Sequence, residues 1–419
     1  MVKEFMDRSG IHENIKSLPF QSKGSAIGHD HWEIVESFLV SVILGAGNCT
    51  GSAQLGYDDI MKEIFQWKKG MPSQSTLSRF FRKYEQYESD EIFSQLQTWW
   101  FNQLSDDKIT LDFDSTVITR YGDQEGAAVG YNPKKKGRKS HHPLMAFAAE
   151  PRLIVNSWLR PGNTSSASGF AFFLDDTFRM IPQSKVGMVR ADSGFSGNEI
   201  LKEFESRELD YIISLPMKAG IVEEILSVKK WTQSSVNGIA HCSFQYRTKS
   251  WGQSRRVVVV RKDVEKLPKS GGKTLFRSED DYARFRYSAF VTNSKLSSEL
   301  VWHTYKHRAQ AENQIKELKY DYALEGYCFS ESRATEFAFR WVTVAYNIMS
   351  YFRNTVDVSK VTPTLSTLKF NCIAVGAYLV TSGRQKKLVI AAHQKKRDYM
   401  EEIFERLSHY DPQKSNSTA

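Results

Sequence analysis

The sequence predicts an α/β protein in which a mixed sheet with an inserted β subdomain is flanked by helical N-terminal and C-terminal regions. Three observations carry that expectation. Apolar residues recur every three or four positions from His31 to about Leu104, which is helical spacing. After about residue 107 the period falls to two, and β-branched or aromatic residues take over. From Leu296 onward the helical spacing returns.

In the first region, residues 57–67 read as a helix that Lys69-Gly70-Met71-Pro72 breaks. Ser73, Ser75 or Thr76 can cap a second helix over residues 77–84. That helix carries Arg79, Arg82 and Lys83, so the pair has the layout of a helix-turn-helix. An ordinary helical hairpin with a solvated basic face fits the same residues. Residues 109–114 then form a first strand, and residues 143–149 and 153–159, separated by Glu150-Pro151-Arg152, form a hairpin. Residues 186–191 are a fourth strand, 198–206 a helix and 211–215 a fifth strand. The β pattern resumes over residues 218–294, with strands at 243–248, 255–261 and 285–292. Helices follow near 300–322 and 333–353, then a basic segment, and residues 414–419 read as a disordered end.

The chain has 419 residues, 41% hydrophobic and 25% charged, a composition that excludes disorder as the main state and allows two or three domains. Its 57 Lys and Arg against 48 Asp and Glu leave a net charge of +9, which favours a polyanionic partner and makes nucleic acid the first suspect. Cys49, Cys242, Cys328 and Cys372 are far apart and show no metal-ligand spacing, as expected of reduced thiols in a cytoplasm. The first residues lack the apolar core of a signal peptide, and residues 38–47 span only about half of the roughly 20 residues that a membrane helix needs. A cytoplasmic protein with no membrane partner is expected.

Three acidic residues carry the chemistry. Asp114 ends the first strand and precedes Ser115 and Thr116; Asp192 ends the fourth and precedes Ser193-Gly194-Phe195. Strand ends of α/β sheets are where sites form, although either residue taken singly can be a turn or helix cap. The third is Glu312. At about 100 degrees per residue, Tyr305, Arg308, Glu312 and Lys319 fall within an arc of about 60 degrees on one helix face. Ala311, Ile315, Leu318 and Tyr322 make the adjoining apolar stripe that would pack on the sheet. A solvated face with an Arg308–Glu312 ion pair is the plainer alternative. Two aspartates and a glutamate are hard oxygen donors, which select Mg²⁺ or Mn²⁺ over zinc. Two such ions about 4 Å apart serve phosphodiester chemistry. Asp112 points to the same side as Asp114 by strand alternation and competes with it as first ligand.

The order Asp114-Ser-Thr, Asp192-Ser-Gly-Phe and Tyr305-x2-Arg308-x3-Glu312-x6-Lys319 resembles the DDE transposases of bacterial insertion sequences that carry the Tyr-Arg-Glu-Lys signature. The resemblance implies a ribonuclease-H-like catalytic domain made of residues 106–217 and 295–355, with residues 218–294 inserted as a β subdomain. Residues 1–105 would bind DNA and residues 356–419 form a helical, basic C-terminal region. Asp114, Asp192 and Glu312 would be the catalytic ligands of two Mg²⁺ ions, with Mn²⁺ able to substitute, and Tyr305, Arg308 and Lys319 would position the transposon end and its terminal phosphate. Asp114 is preferred to Asp112 because the family sets its first Asp just before small hydroxyl residues; Asp112 would then support the ligands from behind. The implied activity is binding of inverted terminal repeats in double-stranded DNA, cleavage at the ends, and joining of the 3′-hydroxyl to target DNA. A homodimer would hold two ends together, in a bacterial cytoplasm and on the nucleoid. A nuclease or resolvase without strand transfer and a non-catalytic DNA-binding derivative are the rival readings.

Basic and aromatic residues add detail. Lys134, Lys135, Lys136, Arg138 and Lys139 fall in the loop after the first strand, near Asp114, where they would neutralise DNA backbone charge. Arg384, Lys386, Lys387, Lys395, Lys396 and Arg397 form a second basic stretch, either a DNA contact or an exposed helix face. Related transposases that close DNA hairpins hold a flipped base on an aromatic residue of the insert, which makes Trp231 and Trp251 stacking candidates. Core burial is the commoner fate of such a Trp.

Overall fold

The period-two stretch after residue 107 folds as the sequence predicts. In the computed structural model, which describes residues 1–67, 69–104, 108–263, 285–356 and 362–411, Ile109–Ser115 forms strand β1. The terminal residues 414–419 lie outside the described residues. After β1 come three short strands, β2 (Ile118–Thr119), β3 (Ala128–Val129) and β4 (Lys139–His141). The expected hairpin follows as β5 (Leu144–Ala148) and β6 (Leu153–Trp158), and then β7 (Val186–Ala191) and β8 (Tyr211–Leu215). The β-rich stretch supplies β9 (Thr232–Gln233), β10 (Ile239–Tyr246), β11 (Arg255–Asp263) and β12 (Phe285–Thr292).

Among the described residues the main sheet has nine strands in the order β6-β5-β1-β7-β8-β12-β11-β10-β9. β1 is antiparallel to β5 and parallel to β7, and β7 is parallel to β8. Three consecutive antiparallel strands joined through β1 to two parallel ones make a ribonuclease-H-like sheet. Alternation along β1 sends Leu111 and Phe113 to one face and Asp112 and Asp114 to the other. On the first face the Phe113 ring packs against Phe170, Phe173 and Phe204 of the Phe170–Met180 and Asn198–Ser206 helices. The Ala309–Asp321 helix packs against β1 as well, with Ala311, Ile315 and Leu318 buried, and Tyr322 at its end is buried too. Behind it runs the 25-residue Ser332–Val356 helix, whose Phe337 packs against Phe80, Phe81, Tyr84 and Phe93 of the N-terminal helices.

Strands β9 to β12 continue the main sheet and do not form a sheet of their own, because β12 pairs antiparallel with β8 and sets Ala289 opposite Leu215. Val257, Val258, Val259 and Val260 are all buried. Val257 and Val259 join the main core, while Val258 and Val260 pack in a second cluster with Phe290 and Val301. Cover on both faces explains why this strand reads as a continuous apolar run.

Four stretches differ from the expectation, the first being the start of the 218–294 segment, where Ala219–Ser227 is a helix rather than β structure. The single helix over 300–322 is two helices, Ser298–Lys306 and Ala309–Asp321, joined by a tight turn in which Arg308 N–H donates to Tyr305 O at 2.9 Å and Gln310 N–H to His307 O at 3.0 Å. The basic C-terminal stretch contains a β-hairpin, β13 (Gly376–Ser382) and β14 (Gln385–Ala391), between the Leu365–Cys372 and Gln394–His409 helices. Arg384, Lys386 and Lys387 therefore lie on the hairpin, and Lys395, Lys396 and Arg397 in the last helix. The first basic helix is Gln74–Lys83, capped by Ser73, after a short Asp59–Phe65 helix. No helix among the described residues is long and apolar enough to cross a membrane.

Candidate active site

β1, β7 and the Ala309–Asp321 helix bring the predicted acids to one edge of the sheet. Asp114 is the penultimate residue of β1, and its Oδ1 accepts from Ser115 N–H at 2.8 Å. Asp192 directly follows β7 and caps a single turn, its Oδ1 accepting from Gly194 N–H at 2.8 Å. Gly194 fits closely there, since an added Cβ would lie 2.9 Å from Ser166 Oγ and 3.0 Å from Asp192 Oδ1 and would push on both side chains. Glu312 stands in the first turn of its helix with its side chain 58% exposed.

Arg308 is the hub of this group. It is buried in the turn between the two helices, with Nη2 3.0 Å from Asp114 Oδ2 and Nη1 3.5 Å from Glu312 Oε1. Its Nε and Nη2 make no well-aligned hydrogen bond, so the Asp114 contact is an ion pair without hydrogen-bond geometry. Burial pushes the Asp114 carboxyl up to about 6, the negative charges of Asp192 and Glu312 push the same way, and Arg308 opposes them. The acids thus carry more negative charge than the single guanidinium balances.

The other signature residues face the same edge. Tyr305 donates through its hydroxyl to Ala191 O, the last residue of β7, at 3.3 Å, and its ring packs on Phe290. Lys319 Nζ donates to Val117 O at 2.7 Å and pairs with Glu325 at 3.1 Å. Tyr305 thus reaches the site from a different helix than Glu312, not from one continuous stripe. Asp112 is fully engaged elsewhere: Arg190, its neighbour on β7, donates to Oδ1 from Nε at 2.6 Å and to Oδ2 from Nη2 at 2.7 Å, and both residues are buried. Arg190 Nη1 also donates to Thr304 O at 2.6 Å.

Hard oxygen donors with unbalanced negative charge suit a divalent cation such as Mg²⁺ or Mn²⁺. Among the described residues no three His, Cys, Asp or Glu side chains are gathered tightly enough to hold a metal ion. The donor chemistry fits, while the Arg308 guanidinium is the cation that the acids face.

Sequence reasoning missed His142 and Ser166, and noted Ser115 only as a small hydroxyl residue after Asp114. His142 Nδ1 lies 2.8 Å from Thr164 O, an acceptor only, so Nδ1 carries the proton and Nε2 accepts from Ser115 Oγ at 3.1 Å. Ser115 Oγ meets Ser166 Oγ at 3.3 Å. The chain ties the residue after Asp114 to the segment that packs on the Asp192 turn. Its one sequence signal is the His141-His142 pair just before β5.

The outlying predictions separate. Lys134, Lys135, Lys136, Arg138 and Lys139 are exposed, and Lys139 pairs with Asp123 at 2.7 Å. Arg79 is exposed on a helix whose Leu77, Phe80 and Phe81 are buried. Arg82 instead donates from Nε to Glu331 at 2.8 Å, and Lys83 to Ser22 O at 2.8 Å, so both are tied within the molecule. Trp251 departs from the expected stacking position: it is 3% exposed, its Nε1–H donates to Ser196 O at 3.1 Å, and Arg255 lies against its ring. Trp231 is half-buried with the Arg261 guanidinium 4.3 Å from its ring centre.

The sheet order and the acidic edge define a ribonuclease-H-like protein with strand-end aspartates beside a helix glutamate. The chain belongs to the DDE transposases: residues 1–412 match the family described as Transposase DDE domain group 1, a family that works with divalent metal ions. Among solved structures it is similar to the piggyBac transposase synaptic complex with hairpin DNA, at 10% identity and a TM-score of 0.47, covering 88% of this chain and 76% of that one. The Mos1 transposase paired-end complex with the left transposon end gives 14% identity and a TM-score of 0.19 over 48% of this chain and 62% of that one. The Drosophila P element transposase strand transfer complex gives 13% identity and a TM-score of 0.24 over 92% and 74%. Comparison with curated proteins by sequence returns no match.

Proposed function

We propose that the protein binds the inverted terminal repeats of its own element in double-stranded DNA, cleaves the ends, and joins the freed 3′-hydroxyl to target DNA. The observation that carries this reading is the meeting of Asp114 and Glu312 on the buried Arg308 guanidinium, with Asp192 close enough to raise the Asp114 carboxyl. Asp114, Asp192 and Glu312 would hold two Mg²⁺ ions, or Mn²⁺ in their place. Bound ions of this kind supply Lewis acidity to the attacking and leaving oxygens of a phosphodiester.

This chain's own groups do the rest. Arg308, freed from part of its work on the acids, offers a planar donor set to a terminal phosphate. Lys319, held over Val117, adds a second positive charge on the same side. Tyr305 fixes the Ser298–Lys306 helix to the end of β7 and so holds the turn that carries Arg308. Exposed Lys134, Lys135, Lys136, Arg138 and Lys139 follow the backbone of the bound end, and Arg79 offers an exposed charge in the N-terminal region. On this reading residues 1–105 and 356–419 grip DNA around a catalytic unit made of 106–217 and 295–355, with 218–294 inserted. Two chains act together on two ends, on the nucleoid of a bacterial cytoplasm.

The test is incubation of the purified chain with a duplex carrying the repeat that flanks its gene, with Mg²⁺ or with EDTA, read on a denaturing gel. Metal-dependent cuts at the repeat end and strand-transfer products, both lost in Asp114→Ala, Asp192→Ala and Glu312→Gln, are expected. Cuts without strand transfer would make the protein a nuclease or resolvase. Repeat-specific binding without cutting would make it a DNA-binding derivative.

A further inference from the structure

The three short strands after β1 form a small sheet of their own, in the order β2-β4-β3. Ile118 faces His141 and Thr119 faces Ser140, and Arg120 N–H donates to Lys139 O at 2.9 Å, which carries the ladder to its tip. The next residue out, Tyr121, meets Arg138, whose guanidinium carbon lies 5.9 Å from the ring centre. On the other side of β4, Val129 faces Lys139, and Tyr131 stands two residues beyond it. Tyr121 and Tyr131 are each 74% exposed, and Lys134, Lys135, Lys136 and Arg138 around them are exposed too.

The tip is held on a fixed frame. Asn132 is buried: its Nδ2 donates to Thr119 Oγ1 at 3.0 Å, and its Oδ1 accepts from Lys135 N–H at 2.9 Å. Gly130 lies directly against the chain at Gly162, where a Cβ would sit 1.9 Å from the carbonyl oxygen. Arg120, also buried, donates from Nη1 to Glu325 O at 2.7 Å and from Nε to His141 at 3.1 Å. The frame starts four residues beyond Asp114, next to the Val117 carbonyl that Lys319 holds.

Two large rings held out in water on a rigid frame, with five cations interleaved, have the make-up of a surface that stacks bases and neutralises phosphates. Lysines and arginines alone suffice for a duplex backbone. Rings need a base face, which a closed duplex keeps inside its stack. We propose that the tip formed by Tyr121, Tyr131 and Arg138 binds unpaired bases of a single DNA strand next to the acidic edge. This rests on the DNA-transposase reading and adds to it the kind of DNA that this surface takes.

The test uses the full chain in EDTA, so that no cleavage intervenes. Fluorescence anisotropy compares a labelled single strand, the duplex of the same sequence, and that duplex with a short overhang holding 2-aminopurine. Tyr121→Ala/Tyr131→Ala should weaken single-strand binding about tenfold or more, leave closed-duplex binding within about twofold, and abolish the 2-aminopurine quenching. Tyr121→Phe/Tyr131→Phe keeps the rings and should restore all three signals, which separates stacking from a folding defect. Wild-type-like single-strand binding by the Ala pair overturns the proposal, as does equal weakening on single strand and duplex. A wild-type chain that binds single strands but never cuts its repeat with Mg²⁺ refutes the catalytic reading and leaves this surface standing.

Discussion

Asp112 and Asp114 lie on one face of β1, two residues apart, and their environments assign them different work. Asp112→Asn removes the negative charge from a pair in which Asp112 is 1% and Arg190 3% exposed. Arg190 then keeps its 2.6 Å bond to Thr304 O and one bond to the amide oxygen, but its charge is buried without a counter-charge. Breaking such a pair costs about 3–5 kcal/mol, and the two retained acceptors put the expected loss near the lower end, about 3 kcal/mol. Asp114→Asn should behave in the opposite way. Burial disfavours the charged form of both aspartates, but Arg308, unlike Arg190, retains a carboxylate partner in Glu312, so the neutral amide should leave stability equal to wild type or above it. Urea unfolding of both variants at pH 7 in EDTA, followed by circular dichroism, reads the difference directly. In the double variant Asp112→Asn/Arg190→Met the loss should be smaller than the sum of the single losses. The assignment is refuted if Asp112→Asn unfolds at the wild-type urea concentration, or if Asp114→Asn loses as much as Asp112→Asn.

Two further outcomes follow from the same geometry. Mg²⁺ or Mn²⁺ should raise the melting temperature of the DNA-free chain, with a stabilisation of about 2.7 kcal/mol at a hundredfold excess over the dissociation constant; a shift of the same size in Asp192→Ala would place the bound ion elsewhere. Buried His31, with Nδ1 2.6 Å from the Tyr84 hydroxyl, has its imidazole pushed down to about 4 by burial and by the nearby Lys83 charge. It stays neutral in the fold while the unfolded chain takes up a proton below about 6.5. Its contribution is therefore fully present above pH 6.5 and is lost as pH falls toward 4, by up to about 3 kcal/mol. Urea midpoints measured between pH 7.5 and 4.5 should fall less steeply in His31→Gln, with part of the slope remaining because His141 is pushed down to about 4 as well; identical slopes would contradict the assignment.

The strands were legible in the sequence where a strand has one covered face or a hairpin turn, as in β1 and in the β5–β6 pair around Glu150-Pro151-Arg152. The Val257 to Val260 run announced a strand but not its place, because cover on both faces hides the alternation that would orient it. The hairpin of β13 and β14 was masked by its charges, although Val380, Thr381, Val389 and Ile390 are β-formers. The break at His307 and Arg308 has no Gly or Pro to mark it. It is fixed by contacts remote in sequence, from Tyr305 to Ala191 and from Arg308 to Asp114. For the same reason the spacing brought out Tyr305, Arg308, Glu312 and Lys319 as a group but could not tell which of them is buried. The His141-His142 pair could not show what His142 does, because its partners, Ser115 and Thr164, are 27 and 22 residues away.

The helix break explains how one arginine meets two of the three acids. On a single straight helix Arg308 and Glu312 would lie one turn apart on one stripe and settle as an ordinary surface pair. The turn instead makes Arg308 the residue that begins a new helix, where it is buried against Asp114 while Glu312 keeps more than half of its side chain in solvent. Glu312 is therefore the most exposed acid of the three. Asp114 is fixed by β1 and by its own Ser115 N–H, and Asp192 by the Gly194 turn. On the proposed reading, two acids held by backbone N–H groups, one exposed acid and one buried guanidinium leave a negative surplus that a divalent ion would neutralise. If Asp114 and Asp192 are the strand-end ligands, their fixed positions would lower the ordering entropy that ion binding must offset.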